Sequence, residues 1–401
     1  MSHCPPPSLI EKVKDEIEGS FPIQSASSQR SEEEVYQNVL AGPIISLRSV
    51  AVLCRRGTPE KYRAVFWKLL MGFLPPEVSR WEKLQEAKTK EYCDIVHIVC
   101  ELDEQGKVVV GGSSSRAVDV DIPRTIPSMH FFNAHEDQSN VPSIQMVFSS
   151  TQESLRRIIH TLAGVNRGLG YVQGMNELVG HLLYAFSGGR REAVCDSVES
   201  EVFFCFQTML TYLGDDFCRS LDFDQDTGVM CTIHHFERLF QFIDPILWEH
   251  LESHQVKSEF YAFRWITLLF TQEFNVPDVF RVWDFLFSFG EELRSIVLYV
   301  AVAMLHYQRH ELLQMNILSE FLPLLQLYPP CDVNEFLKIA MKWIERFGFQ
   351  LVKQLKVSTP EDVVLLQRQH GIIIANEVSW SGSLRGLMSS MRGLTKYLKK
   401  E

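Results

Sequence analysis

The sequence predicts an all-α protein built from many helices, and three observations carry that prediction. Apolar residues recur at the helical period in segment after segment. Strand-like runs are short, such as Lys107 to Val110. The composition, 46% hydrophobic and 22% charged over 401 residues, is that of a globular chain with ample length for a large core.

Taken in order, residues 1–43 read as a loosely held arm. It begins Met-Ser-His-Cys-Pro-Pro-Pro, without an apolar core of signal-peptide length. Glu11 to Glu18 has the pattern of a short charged helix, and a polar stretch from Gln24 to Glu34 follows. Residues 44–350 form the predicted folded domain. Within it, Leu155, Ile158, Ile159 and Leu162 fall at i, i+3, i+4 and i+7, and Ser150 with Glu153 makes a capping box before them. Phe203, Phe206, Leu210 and Leu213 make a second stripe, and Phe336, Leu337, Ile339, Ala340, Trp343 and Ile344 a later one. Gly111 to Ser115 is a low-complexity hinge. Asn133 to Ser149 lacks a period and reads as a long loop, of a length that in compact domains is usually functional or disordered. Residues 351–401 form a C-terminal extension.

Charge and cysteine content narrow the function classes. A net charge of -11 argues against a nucleic-acid partner, which would call for a basic face. The longest strictly apolar run, Ile296 to Leu305, is too short for a membrane-spanning helix, which needs roughly 20 residues. Nine cysteines, an odd number without CxxC pairs, read as reduced thiols and point to a cytoplasmic protein.

Two short segments carry candidate chemistry. In Tyr171-Val172-Gln173-Gly174-Met175-Asn176, glycines at 168, 170 and 174 permit tight turns and close approach of another backbone. A glutamine there both donates and accepts, so it can orient a water while gripping a main chain. Taken alone, the segment also fits a plain interhelical turn with a solvated glutamine. In Asp121-Ile122-Pro123-Arg124-Thr125, Pro123 fixes its own φ and restricts Ile122. Asp121, three residues before Arg124, is placed to orient the guanidinium, and an arginine on a rigid loop can neutralise a partner's phosphate. Taken alone, the pair also fits a surface salt bridge of little energetic weight.

Together with two further segments, these motifs resemble the TBC domain of Rab GTPase-activating proteins. The family pattern Gly-x-Pro followed by Arg-x-x-x-Trp-x-x-Leu-Leu is met by Gly57, Pro59, Arg63, Trp67, Leu69 and Leu70, with the two leucines one position earlier. The arginine-finger motif Ile-x-x-Asp-x-x-Arg-Thr is met by Val118, Asp121, Arg124 and Thr125, with valine replacing isoleucine. The glutamine-finger motif Tyr-x-Gln-Gly-Met-Asn is intact at Tyr171, Gln173, Gly174, Met175 and Asn176. Phe263-Arg264-Trp265, then Phe274, Pro277 and Arg281-Val282-Trp283-Asp284, resemble the closing helices of the domain. Leu162 stands where the family often has tyrosine, and Arg167 where proline often follows the asparagine. Arg124 and Gln173 are more widely separated than in compact members, in keeping with an enlarged loop at Asn133 to Ser149.

The resemblance implies a two-lobed, multi-helix TBC domain followed by a helical extension. It implies that the chain accelerates GTP hydrolysis on a Rab-family GTPase in its GTP form, and so ends a membrane-trafficking signal. Arg124 and Gln173 are then the catalytic fingers. Asp121 aligns Arg124, Thr125 and Gly174 complete their loops, and Tyr171 and Asn176 brace Gln173. Trp67, Trp265, Trp283 and Asp284 fall to the core, and Arg264, Glu273, Arg281 and Asp284 are candidates for buried ion pairs. The chain needs no cofactor or metal of its own, because GTP and Mg²⁺ come with the partner. The alternatives are a non-catalytic GTPase-binding module or a helical trafficking scaffold on the same fold.

Other signals are weaker. Asp222 to Gly228 resembles a calcium loop, but the EF-hand's glycine and final glutamate are replaced by Thr227 and Ile233. Cys231 with His234 and His235 lacks a partner pair at zinc spacing. No Gly-x₄-Gly-Lys-Ser/Thr motif is present to bind nucleotide directly. In the tail, Trp380, Leu384, Leu387, Met388, Met391, Leu394 and Leu398 share one helical face, with Arg385, Arg392, Lys396 and Lys399 opposite. Ser381 to Glu401 holds five basic residues and one acidic, the pattern of an interfacial helix on an anionic endomembrane surface. The same pattern fits a helix packed on the domain or on a partner, and Gly386 and Gly393 weaken it in isolation.

Overall fold

Polar residues with free lone pairs stand where helices begin. Ser46, Asp244, Asn275, Asp332 and Thr359 each accept a hydrogen bond from an amide in the first turn of the helix they precede. The computed structural model describes residues 32–104, 106–109, 113–133, 148–166, 168–214 and 228–372. Among them every regular element is helical. The expected strand-like run at Lys107 makes only a single bridge, Leu102 to Val108.

The chain falls into two units, Met1–Ala41 and Gly42–Glu401. The first contains helix α1 (Glu32–Leu40), which lies in the arm expected to be loosely held and overlaps its polar stretch. The helices of the second unit are α2 (Leu47–Arg56), α3 (Glu60–Leu70), α4 (Trp81–Val99), α5 (Ser113–Asp121), α6 (Ser150–Val165), α7 (Met175–Phe186) and α8 (Asp196–Leu213). There follow α9 (Gly228–Ile243), α10 (Pro245–Ser253), α11 (Ala262–Thr267), α12 (Val276–Phe287), α13 (Leu293–Tyr307), α14 (Arg309–Leu312), α15 (Leu318–Gln326), α16 (Val333–Leu355) and α17 (Pro360–Gln369).

Two groups of helices share this unit. In one, α6, α7 and α8 pack on one another, and α4 lies across α6 and α8. The stripe Leu155, Ile158, Ile159 and Leu162 is buried there, as the periodicity requires. The capping box of α6 uses Ser149 and Gln152, one residue earlier than expected. Both pairs have the same spacing, so the sequence alone does not choose between them. Ser149 wins because its own backbone is extended, and Glu153 is left to pair with Arg156 at 2.8 Å.

In the other group, α13 packs between α9 and α16. It is apolar on every side and buried on every side from Ile296 to Leu305. Helix α16 is interrupted at Gly348, whose φ of 66° and ψ of -175° break it into two helices. The extension expected from residue 351 starts inside this element. Helix α17 continues it and packs on α9, where the Gln367 amide donates to the carbonyls of Gln241 and Phe242. The basic tail, Trp380 to Lys399, lies outside the described residues, as do Glu11 to Glu18 and Asp222 to Thr227.

Helix α12 packs on α2, α3, α13 and α16 and reaches the first group where Phe280 and Trp283 meet His181 of α7. Its Asp284 is fully buried and accepts from the Thr58 amide at 2.7 Å, the Trp67 indole at 2.8 Å and the Arg63 guanidinium at 3.3 Å. Burial pushes its carboxyl up, against the pull of Arg63. Trp67 and Trp283 pack beside it and, like Trp265, are fully buried. Of the ion pairs anticipated, Arg264 forms a two-pronged bridge to Glu273, at 2.7 and 2.8 Å. Arg281 donates to Asn334 and to the carbonyl of Arg55.

Candidate functional site

Helix α5 ends at Asp121 and runs into a single 3₁₀ turn, Ile122–Arg124, with Pro123 setting its geometry. Ile122, Thr125 and Ile126 are buried on either side of Arg124. Ile126 has a φ of +42°, a strained value for a β-branched residue. Its amide donates to the Glu177 carboxylate at 3.4 Å. Pinned before and after, the turn leaves Arg124 exposed, with no hydrogen bond or ion pair among the described residues.

The second loop joins α6 to α7. Its reversal needs φ of +63° at Gly170 and +98° at Gly174, both in the region that favours glycine. Gly174 is the residue from which α7 begins. Gln173, just before it, is exposed and likewise makes no hydrogen bond among the described residues.

Four side chains and one carbonyl fasten the two loops together. The Tyr171 hydroxyl donates to Asp121 Oδ2 at 2.7 Å and lies 3.2 Å from Asn176 Oδ1. Asn176 Nδ2 donates to Thr125 Oγ1 at 2.9 Å and to the Asp121 carbonyl at 3.3 Å. The Thr125 hydroxyl donates to the same carbonyl at 3.3 Å. All four residues are buried. Among the described residues Asp121 is bonded to Tyr171 rather than to Arg124. Asp121 ties the turn that carries Arg124 to the neighbouring loop, through the Tyr171 hydroxyl.

Helix α7 supplies residues that the motifs did not single out. A Cβ on Gly180 would lie 2.7 Å from Thr125 Cγ2, so a bare glycine lets the arginine loop seat on the helix. Glu177 holds Ile126; burial raises its carboxyl above the usual range, and the nearby Asp121 adds to this. His181 is buried beside Trp283 and lies 2.7 Å from the Glu177 carbonyl. Burial lowers its imidazole to about 4, so it is neutral near pH 7. The available signal was a pair of polar residues, Glu177 and His181, one turn apart in the otherwise apolar run after Asn176.

Among the described residues no group of three or more histidine, cysteine or acidic side chains gathers at metal-binding distance. Cys231 Sγ and His235 Nε2 are 3.3 Å apart and buried, with His235 lowered to about 4, chiefly by burial. No described helix is long and apolar enough to cross a membrane.

The sequence profile of the Rab-GTPase-TBC domain matches residues 60–313. Human TBC1 domain family member 13 is 26% identical, the alignment covering 79% of this chain and 98% of that protein. The mouse protein of the same name is 38% identical over 47% of this chain and 46% of its own length. GYP1 of Saccharomyces cerevisiae, described as a GTPase-activating protein, is 27% identical over 71% of this chain and 44% of its own. The match thus spans about half the length of the mouse and yeast proteins. The crystal structure of the Ypt/Rab-GAP domain of Gyp1p superposes with a TM-score of 0.65 at 25% identity, over 78% of this chain and 98% of that one. The flagellar RabGAP TBC domain of Chlamydomonas shares the fold, with a TM-score of 0.50 at 18% identity over 84% and 91%. With a profile match across most of the helical unit and the same fold in both solved domains, the chain belongs to the Rab-GTPase-TBC domain family.

Proposed function

We propose that this chain is a GTPase-activating protein for a Rab-family GTPase, working through Arg124 and Gln173. The observation that supports this reading best is the pairing of loops. A buried clamp fixes two loops, and each presents one exposed side chain with no partner among the described residues. That is costly architecture for a surface salt bridge or a solvated turn. It suits groups whose partners arrive with another protein.

GTP hydrolysis needs an in-line water and charge neutralisation on the transferring phosphoryl group. Arg124 balances the charge that develops between the β- and γ-phosphates. Gln173 donates to and accepts from the water and the partner's backbone, holding the attack in line. GTP and Mg²⁺ enter with the GTPase. In this reading the protein acts in the cytoplasm at an endomembrane surface, where ending the GTP state ends a trafficking signal. The basic tail, Trp380 to Lys399, adds contact with anionic lipid; its basis is the sequence pattern alone. Liposome binding that is unchanged on deletion of residues 380–401 would rule that contact out.

Single-turnover GTP hydrolysis across a panel of purified Rab proteins tests the central reading. The wild-type chain is expected to accelerate one or a few of them. Arg124→Ala, and Arg124→Lys, which keeps the charge but loses the fork, lose about 10³-fold or more, equivalent to roughly 4 kcal/mol. Gln173→Ala is expected to lose acceleration as well. Binding to a GTP-loaded Rab without acceleration, or full acceleration by Arg124→Ala, would overturn the proposal.

A further inference from the structure

The segment between α11 and α12 is strained in a way that neither finger motif explains. Leu269 and Phe270 both have positive φ, +46° and +65°, in succession. Neither is glycine, and both are fully buried. Single departures of this kind cost about 1–3 kcal/mol each and persist only where the surroundings impose them. Here the surroundings are visible. The Trp283 indole donates to the Leu269 carbonyl at 2.9 Å. The Phe270 amide bonds back to Trp265 at 3.0 Å, and the Thr271 amide to Leu268 at 3.0 Å. Arg264 grips Glu273 at the far end of the turn.

What this turn presents is Leu268. A Cβ on Gly174 would lie 2.4 Å from Leu268 Cδ2, and 3.7 and 3.9 Å from its Cγ and Cδ1. The leucine side chain therefore rests against the bare Cα of the residue that follows Gln173. Leu268 is nearly buried, so the contact is packed and excludes water. Tyr171 and Asn176 hold the same loop to Asp121 and Thr125. The clamp fixes the loop's ends, and Leu268 fixes its crest.

We propose that Leu268, held out by the strained turn at Leu269 and Phe270, is the positioning residue for Gln173. This rests on the reading of Gln173 as the water-orienting group. It also gives the Phe263–Asp284 segment a task at the site, because Arg264, Trp265 and Trp283 shape the turn that carries Leu268.

Two measurements on the full chain test it. The first is amide hydrogen exchange without any GTPase. Leu268→Ala is expected to speed exchange several-fold in the peptide Tyr171–Glu177, with α16 and α17 unchanged. Unchanged exchange in that peptide, or an equal rise throughout the molecule, would overturn the proposal. The second is single-turnover hydrolysis on the Rab that responds best to wild type. Leu268→Ala is expected to lower the saturating rate about tenfold to a hundredfold, since a displacement of about 1 Å carries that penalty. The concentration for half-maximal effect stays as in wild type, and Leu268→Met restores most of the rate. In a Gln173→Ala background, Leu268→Ala brings no further loss. An equal loss in both backgrounds, or a shift in half-maximal concentration at unchanged rate, overturns the proposal. If Gln173→Ala hydrolyses as fast as wild type, the finger reading fails, and the exchange result still decides whether Leu268 holds the loop. Should Leu268→Ala fold poorly, Leu268→Val is read in the same way.

Discussion

At the scale of single residues, exposure separates the two groups proposed to act from those that hold their loops. Arg124 and Gln173 are exposed and unpartnered among the described residues, so removing them is expected to leave stability within about 0.5 kcal/mol of wild type while abolishing acceleration. Tyr171 belongs to the other class. Tyr171→Phe keeps the ring but deprives Asp121 Oδ2 of its donor in a buried site. An unsatisfied buried acceptor costs about 1–3 kcal/mol. The expected result is a lower urea midpoint together with a reduced hydrolysis rate, read by denaturation and single-turnover assays on the same preparation. An unchanged midpoint would show that the clamp contributes nothing. The sequence displayed Asp121, Arg124, Thr125, Tyr171, Gln173 and Asn176 through motif spacing. It did not display which of them touch. Asp121 and Arg124 are neighbours along the chain, and chain proximity suggested a pair. The fold instead brings Tyr171 to Asp121 from 50 residues away.

At the scale of elements, α7 is the part on which both loops depend. It starts at Gly174, carries Asn176 and Glu177 in its first turn, and offers Gly180 as a seat for Thr125. Gly180→Ala isolates this last role. Alanine in a helix interior is favoured over glycine by about 1 kcal/mol. The added Cβ meets Thr125 Cγ2 at 2.7 Å, and Thr125 is β-branched, buried and hydrogen-bonded, so the arginine loop must give. Thermal stability near that of wild type, with a rate reduced about tenfold to a hundredfold, is the expected outcome. Gly180→Ala with a wild-type rate would mean that the arginine loop tolerates displacement. The helical period made most elements legible. The ends of elements were less so, as Ser149 and Ser150 show, because two equivalent caps differ only in backbone conformation. Helix α1 was missed because its residues are mostly polar, with Val35, Tyr36, Val39 and Leu40 as its only apolar side chains. The interruption at Gly348 was missed because the apolar stripe continues on both sides of it.

At the scale of the whole second unit, a few buried polar groups tie the helix groups together, and they make stability sensitive to both substitution and pH. Asp284 joins α12 to the α2–α3 region through three donors. Asp284→Ala leaves the Arg63 guanidinium, the Thr58 amide and the Trp67 indole facing an empty acceptor. Breaking a buried pair in this way costs about 3–5 kcal/mol, to be read as a fall in denaturation midpoint. His181 is one contributor to the pH dependence. Its imidazole falls from 6.5 to about 4 on folding, because burial penalises the cation. A depressed base contributes stability that is full above 6.5 and is lost as pH falls toward 4, since unfolding then takes up a proton. His235, lowered to about 4, adds to the same loss. The buried carboxyls Glu177, Glu273 and Asp284 are raised and act in the opposite direction, so the wild-type profile mixes both signs. His181→Gln removes one contributor and keeps a donor for the Glu177 carbonyl. The wild type is therefore expected to lose stability relative to His181→Gln by about 1.4 kcal/mol per pH unit below 6.5, approaching about 3 kcal/mol near pH 4. Urea denaturation of both proteins across that range gives the difference directly. Parallel profiles would mean that His181 takes up its proton while the chain is still folded, and that α7 opens to water at its centre.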